Sequence, residues 1–519
     1  MKKRRLLALL IALTMLIVPL AVTSCKKDTG EGGGEEIKQD EDKMLSPAFG
    51  NEHLTFDNED YIVMTKGDRS KGQAWNTIDL VIDDNLGDVT IIDAVQRRND
   101  LIEQNFKVKI QRVSSSTSAG DFKNEILSAI EKQDDTYDAF MPSVETGLTI
   151  ALNGTLMNLS DADYIDLSNP WWDQGVIENL MLFGGAYIAL GDVNTVDNDG
   201  TWCVLFNKEI LDAYGTPSAS MYDLVKSGIG VTGGWTVEEL TRIAQKSYKQ
   251  DPNSTEKWRP DYTGSGTYGL FTQTEVATVM VQSSGNTPTI KSDGMAGIVS
   301  NIKTPEFQDA IDRTFAFMGN RMAADWYLNL DNVDDGSGDK WQTVARGGFM
   351  ANKAAFYITH IGTIDLIRDM KADFGIIPVP KLTENQEDYG NTIQYGNATC
   401  YIIPYRMDDY LNEKACYILE ALCYYSSTEF DETGCLSYAY YTLCLQAKGT
   451  RDDDAWDMLD IIFDNRVFDL ACALNIKDIN NIIRNCTTYA DNNWVSQRDA
   501  QLGSLDSEIG TKLEILAKG

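Results

Sequence analysis

From Tyr61 onward the spacing of apolar residues changes period repeatedly. YIVMTK (Tyr61–Lys66) is a short β-rich run that ends in a Gly-Asp loop. From Val89 to Phe106, Ile92, Val95, Leu101 and Ile102 fall at helical spacing with charges between them, which predicts an amphipathic helix. KVKIQRV then alternates as a strand, FKNEILSAIEK returns to a helix, and YDAFMPSVE is a buried strand that empties into a loop. Strand, helix, strand, helix, strand with short connections predicts a parallel sheet with helices on both faces. The pattern resumes with GTYGLFTQ, with KAAFYITH before the helix TIDLIRDM, and with FGIIPVP. From about Asp408 the chain reads as nearly all helix: DYLNEKACYILEALCYY, AWDMLDIIF, NRVFDLACAL and a last segment near Asp506–Lys518. No repeat of 20–50 residues is present.

Ahead of this lies a different kind of segment. Lys2, Lys3, Arg4 and Arg5 precede an apolar run, Leu6 to Val22, broken by Thr14 and Pro19. The run is a little short of the roughly 20 residues a spanning helix needs, and its flanks are those of an export signal. Val22-Thr23-Ser24-Cys25 resembles the lipobox of bacterial lipoproteins. The resemblance implies a signal peptide over 1–24, cleavage before Cys25, and a thioether-linked diacylglycerol on Cys25, with a further acyl chain (palmitate, for example) on the new amine in some bacteria. Two or three chains at about 0.8 kcal/mol per buried methylene hold a protein at a bilayer. The stretch 25–58 that follows, which contains Gly-Glu-Gly-Gly-Gly-Glu-Glu, has few large apolar residues, so a flexible tether is expected there. A folded part on such a leash sits outside the cell, at the membrane face.

The chain carries a net charge of −33, which becomes −37 once the four cations of residues 2–5 are removed. That excludes nucleic acid and anionic lipid headgroups as favourable partners. About 460 residues after the tether are too many for one core, which predicts two or more lobes. Besides Cys25 there are eight cysteines, Cys203, Cys400, Cys416, Cys423, Cys435, Cys444, Cys472 and Cys486, with no C-x-x-C pair. An even number outside the cytoplasm permits disulfides. Their positions within apolar helical patterns favour buried free thiols.

Several stretches together resemble one family. Tyr137-Asp138-Ala139-Phe140 followed by LTIALNGTLMNLS, GGAYIALGDVN followed by VLFNKEILDAYG, GGWTVEEL, and FMANKAAFYITHIG followed by FGIIPVPK stand in order over roughly residues 59–490. They resemble the extracellular solute-binding proteins, family 1: the sugar-binding lipoprotein components of ABC importers. NPWWDQ and QAKGTRDDDAWDMLDIIFDNRVFDL resemble a Firmicutes branch of that family. One departure is Asn352-Lys353, where the family usually has Gly before Lys. In GGWTVEEL, Thr236 and Glu239 have the spacing of a capping box. The resemblance implies an α/β, two-lobed periplasmic-binding-protein-like fold of type II, each lobe a mostly parallel sheet flanked by helices, with a helical C-terminal part. The expected lobes are 59–199 with 393–450, and 200–392 with 451–519. Crossing strands near 195–204 and 391–402, and a third crossing near 450, would let the lobes hinge shut.

Ligand sites in open α/β sheets lie beyond the carboxyl ends of strands. Read that way, the candidates are Lys66 and Asp68 after the first strand, Glu145 with Thr146 after YDAFMPSV, Gln273 and Glu275 after YGLFT, His360 at the end of AAFYIT, and Tyr395 before ATCYIIP. The resemblance implies that Glu145, Gln273, Glu275 and His360 contact ligand; Asp192, Asn194 and Asn198 would line the first crossing. Each has a plainer alternative: a solvated loop carboxylate for Glu145, a satisfied core histidine for His360. A sugar also presents a C–H face to aromatic rings, for which Trp172 and Trp341 are candidates and Trp75, Trp202 and Trp326 alternatives; ten tryptophans in one chain are partly core. The loop DNVDDGSGDK (Asp331–Lys340) places Val333 where an EF-hand needs an acid, so no metal is expected. No G-x-S-x-G, H-E-x-x-H or P-loop is present, and no carboxylate pair is marked for hydrolysis. The expected function is a lipid-anchored, monomeric substrate-binding protein, without cofactor or enzymatic activity, that captures a carbohydrate (an oligosaccharide) and delivers it to the permease subunits of an ABC importer. The alternatives are a secreted carbohydrate-active enzyme and a surface glycan sensor or adhesin.

Overall fold

The computed structural model describes residues 45–50, 52–67, 79–82, 88–115, 118–182, 184–251, 266–291, 298–319, 325–333, 339–383, 385–428, 434–488, 492–505 and 507–508. Cys25, the export signal, Asp68, Trp75 and most of the expected last helix lie outside the described residues. Among the described residues, no helix is long and apolar enough to cross a membrane.

The first lobe is built on β1 (Glu59–Thr65), β2 (Val108–Ser114) and β3 (Ala139–Met141), all parallel, in the order β2-β1-β3. Parallel neighbours need crossover helices. These are α1 (Val89–Phe106), whose Asp88 N-cap accepts from the Thr90 amide, and α2 (Ala119–Glu131), capped by Ser118. α3 (Val144–Ala151) leaves β3 through the Ser143 cap. Antiparallel bridges Phe140–Ile402 and Ser143–Thr399 bring the stretch 398–404 alongside β3, and Ala189–Tyr401 adds one more neighbour.

In the second lobe, β4 (Trp202–Asn207), β5 (Tyr268–Thr272), β8 (Tyr327–Asn329), β9 (Ala354–His360) and β10 (Phe374–Ile377) form one sheet in the order β10-β4-β9-β5-β8. β6 (Thr289–Lys291) and β7 (Ile298–Ser300) make a separate antiparallel pair. β4 runs antiparallel to both β10 and β9, because it arrives from the other lobe, while β9-β5-β8 are parallel. The sheet is covered by α4 (Val237–Lys246), α5 (Val276–Ser283) and α6 (Pro305–Met318). α4 begins at Thr236, whose hydroxyl accepts from the Glu239 amide, as the capping-box spacing predicts. Gly269 of β5 lies so near α4 that a Cβ there would come 2.1 Å from the Ala244 carbonyl oxygen. α7 (Asp409–Ser427) returns to the first lobe and packs on α1; α8 (Asp454–Asp464) packs on β10. α9 (Ile479–Thr488) lies on α5 and α6, with α10 (Trp494–Gln501) behind it.

Two expectations are corrected. The tether does not extend to residue 58. Pro47–Phe49 is a 3-10 turn, Phe49 stacks on Tyr417 at 3.9 Å, Phe56 is buried, and Ser46 donates to Glu420 at 2.9 Å. Two aromatic rings suffice to seat this polar stretch on α7. The second correction concerns NRVFDLACAL, which is helical only at Leu470–Ala473. Before it, Asn465–Val467 is extended along Asn391, with the Val467 amide donating to the Asn391 carbonyl at 2.7 Å. Helical geometry would carry Arg466 away from the acidic partners described below. The eight cysteines among the described residues form no disulfide, and seven of them are buried. Burial pushes the Cys203 and Cys400 thiols up.

Candidate ligand cleft

Three extended segments run side by side at the waist. Trp202 donates its amide to the Thr392 carbonyl (2.9 Å), Gln394 donates to the Gly200 carbonyl (2.9 Å), and Asn465–Val467 flanks Asn391 on the other side. A cavity of about 110 Å³ opens against this waist. The first lobe contributes Glu145 at the start of α3. The second contributes Glu275, Thr278 and Gln282 along α5, with Asn480 and Arg484 one turn apart on α9. Trp202 and Thr392–Gly396 form its base, and Cys472 and Asn475 complete the lining.

The lining is polar and its groups are mostly fixed. Gln394 donates through Nε2 to Glu275 Oε1 at 2.6 Å. Tyr395 donates its hydroxyl to Gln282 Oε1 (3.0 Å) and accepts from the Asp469 amide (2.9 Å). Asn480 donates to the Cys472 carbonyl at 2.8 Å, while its Oδ1 is buried without a hydrogen-bond partner. Burial pushes the Glu145 carboxyl up, against the fields of Lys123 and Arg484. Burial likewise raises Glu275, opposed by Arg484 and the Gln394 hydrogen bond, and the charges of Asp331 and Glu145 add to the rise. The site can therefore accept hydrogen bonds from hydroxyls, beside the indole of Trp202.

Of the candidates read from sequence, the cavity brings together Glu145, Glu275 and Tyr395. Tyr395 enters with its hydroxyl already committed, so its ring and backbone form wall rather than donors. Other candidates have structural work and do not line the cavity. His360 packs against Trp202 with ring centroids 3.9 Å apart and the planes tilted by 51°, and burial pushes its imidazole down to about 3, so it is a neutral support for that ring. Trp172 is buried and donates its indole N–H to Glu420 at 3.1 Å. Asn194 accepts from the Val196 amide and the Thr399 hydroxyl. Asn198 accepts from Arg466 at 3.0 Å, and Asp192 from Ser427. Trp341 is exposed at the surface beside Lys340. Gln273 and Lys66 follow β5 and β1, outside the cavity wall. Asp331 clasps Thr274 through its amide and hydroxyl (2.7 and 2.5 Å), which fixes the turn carrying Glu275. No cluster that could hold a metal is present among the described residues.

Sequence reading missed Gln282, Gln394, Asn475, Asn480 and Arg484 as cavity residues and offered Trp202 only as an alternative. The available signal was the i, i+4 spacing of Asn480 and Arg484 beside the buried stripe Ile479, Ile482, Ile483 and Cys486.

No protein-family model and no curated protein matches the sequence. Solved structures do. The galacto-N-biose-/lacto-N-biose I-binding protein of an ABC transporter from Bifidobacterium longum superposes with a TM-score of 0.56 at 10% identity, over 88% of this chain and 98% of that one. The sugar-binding protein MalE from Xanthomonas citri gives 0.52 at 12% identity, again over 88% and 98%. UspC from M. tuberculosis gives 0.50 at 13%, over 86% and 99%. The fold is that of the two-lobed solute-binding proteins. At such identities the likeness is one of fold, and the waist described above is where this chain's own residues decide what the fold is used for.

Proposed function

We propose that this chain is the substrate-binding component of an ABC importer, capturing a carbohydrate between its lobes and delivering it unchanged to permease subunits. The observation that carries the reading is the waist cavity: both lobes and the segments joining them supply hydrogen-bonding side chains to one space, beside an aromatic ring. At about 110 Å³ that space is well under the roughly 300–1,000 Å³ of ligand pockets, so an oligosaccharide enters only when the lobes separate. Ligand that contacts both lobes stabilises the closed arrangement over the open one and shifts the population accordingly. The proteins from Bifidobacterium longum and Xanthomonas citri, described as sugar-binding, support the choice of ligand class. Trp202 lines the cavity, so titrating a panel of neutral glycans should change tryptophan fluorescence saturably. Saturation by a peptide or polyamine alone, or release of a cleaved product, refutes the reading.

The anchor belongs to the same proposal and is supported by sequence. Lipid on Cys25 would hold a monomer at the outer face of a bacterial membrane, near its permease. Cys25→Ala should move the protein from the membrane fraction into the medium; retention in the membrane fraction would overturn this part.

A further inference from the structure

The charge of the cavity is what a generic sugar site leaves unexplained. Two carboxylates reach it, Glu145 from the first lobe and Glu275 from the second, against one guanidinium, Arg484. Burial is the main cause that raises Glu275, and the charges of Asp331 and then Glu145 add to it. Arg484 opposes the rise at both groups. Its Nε is already spent on the Asn480 carbonyl at 3.2 Å, which removes one prong of the side-on fork with which an arginine grips a carboxylate. The open acceptors are the Glu145 carboxylate and the second oxygen of Glu275, and the terminal guanidinium nitrogens of Arg484 stand against them as donors.

We infer that the cleft is a charge filter: it admits saccharide units that are uncharged or carry an amino group and rejects those bearing a carboxylate. Glu145 and Glu275 accept hydrogens from ligand O–H or N–H groups, and the positive field of Arg484 favours the carboxylate form of both against the effect of burial. A uronate or sialate would become the third anion around a single cation already shared by two. Like charges brought together in a desolvated interface cost several kcal/mol, and the specificity comes from this repulsion as much as from attraction. The chain's net charge of −33 disfavours the approach of anions in the same sense. The inference rests on the carbohydrate reading above.

The test is calorimetric titration of the full chain with the neutral oligosaccharide that scores best in the glycan panel, and with three counterparts changed at one C6 position: carboxylate, carboxylate methyl ester, and 6-amino-6-deoxy. The carboxylate should bind about tenfold or more weakly than the neutral sugar, the bulkier but uncharged methyl ester should recover most of that loss, and the amino sugar should bind as well or better. In Glu145→Gln, and further in Glu145→Gln with Glu275→Gln, the gap between neutral and carboxylate forms should narrow. Glu145 is exposed, so the single variant carries the test if the double variant does not fold. A carboxylate form that binds within about twofold of the neutral one, or a gap unchanged in these variants, overturns the filter while leaving carbohydrate capture intact. If no neutral glycan titrates at all, carbohydrate capture fails and the filter falls with it.

Discussion

Replacing Arg466 with methionine tests whether the waist is held by charge. Arg466 sits in the extended stretch beside Asn391, and its side chain is 14% exposed. It pairs with Asp173 at 2.6 Å, lies 3.7 Å from Asp197, and donates to Asn198 at 3.0 Å. Asp173 and Asp197 are 8% and 4% exposed, so removing the cation strands a buried carboxylate, which costs about 3–5 kcal/mol. A folded part of roughly 470 residues unfolds with an entropy near 1 kcal/mol/K, so the melting temperature should fall by about 3–5 °C. The loss should depend on pH. Burial pushes Asp197 up to about 7, with Arg466 opposing. An acid whose folded pKa is raised gives stability that is full below its unfolded value near 4 and is lost as pH rises through the folded value. Without Arg466 the folded value climbs further, so the deficit of Arg466→Met should be smaller at pH 5 than at pH 8. Adding Asp173→Asn should recover part of it, because the stranded charge is gone. Calorimetry at both pH values decides. A deficit that does not change with pH, or one under about 1 kcal/mol, would mean that apolar packing holds the waist without the ion pair.

Three other outcomes follow from the same structure. Phe49→Ala should cost about 3–5 kcal/mol in urea denaturation, because its ring stacks on Tyr417 in the core; a tether residue would cost nothing. Burial pushes Asp199 up to about 8 and Glu420 up to about 7, so the urea midpoint should decline from pH 5 to pH 9; Asp199→Asn should flatten the upper part of that decline, and an unchanged slope would remove Asp199 as a cause. Gln394→Ala takes the 2.6 Å partner from Glu275; a hydrogen bond to a charged group contributes about 1.5–3 kcal/mol, so the unfolding free energy in urea should fall by about that amount, and an unchanged value would mean that this bond does not help to hold the waist.

What the sequence disclosed depended on how local the cause was. α1 begins at Val89 and ends at Phe106, the limits that the helical spacing and the following strand pattern predict. β9 spans Ala354–His360, the run read from KAAFYITH. The cavity residues Glu145, Glu275 and Tyr395 were legible because each stands just past a strand or at a crossing, where topology places sites whatever the side chains are. His360 stands at such a place too, yet its ring packs at a tilt against Trp202 and does not line the cavity. Trp172 and Trp341 show the same limit: nothing in a sequence distinguishes an indole that packs, one that caps a buried glutamate and one that lines a cleft. Arg484 was illegible for a different reason. It reaches the cavity from a helix far along the chain from every waist segment except Asn465–Val467, and only the packing of α9 on α5 and α6 brings it there.

The same arrangement explains why a protein of this reading would need its ligand in order to close. Glu145 and Glu275 line one cavity, burial raises both groups, and the charge of Glu145 adds a lesser contribution at Glu275. Arg484 offsets part of it, from one side only. A sugar in the cavity supplies hydrogens to these two carboxylates and so favours the arrangement in which both reach it. Moving a population from 1:99 open-dominated to 99:1 closed requires about 5.5 kcal/mol of differential binding. Three hydrogen bonds to charged acceptors reach that requirement at about 2 kcal/mol each, within the usual range of about 1.5–3 kcal/mol, where the same number of neutral ones at about 1 kcal/mol would fall short. On this argument the acidic pair is more than a contact set. Neutralising it in Glu145→Gln with Glu275→Gln should raise the closed fraction without ligand, seen as a smaller radius of gyration in solution scattering. An unliganded radius identical to that of the parent chain would show that the carboxylates take no part in holding the lobes apart.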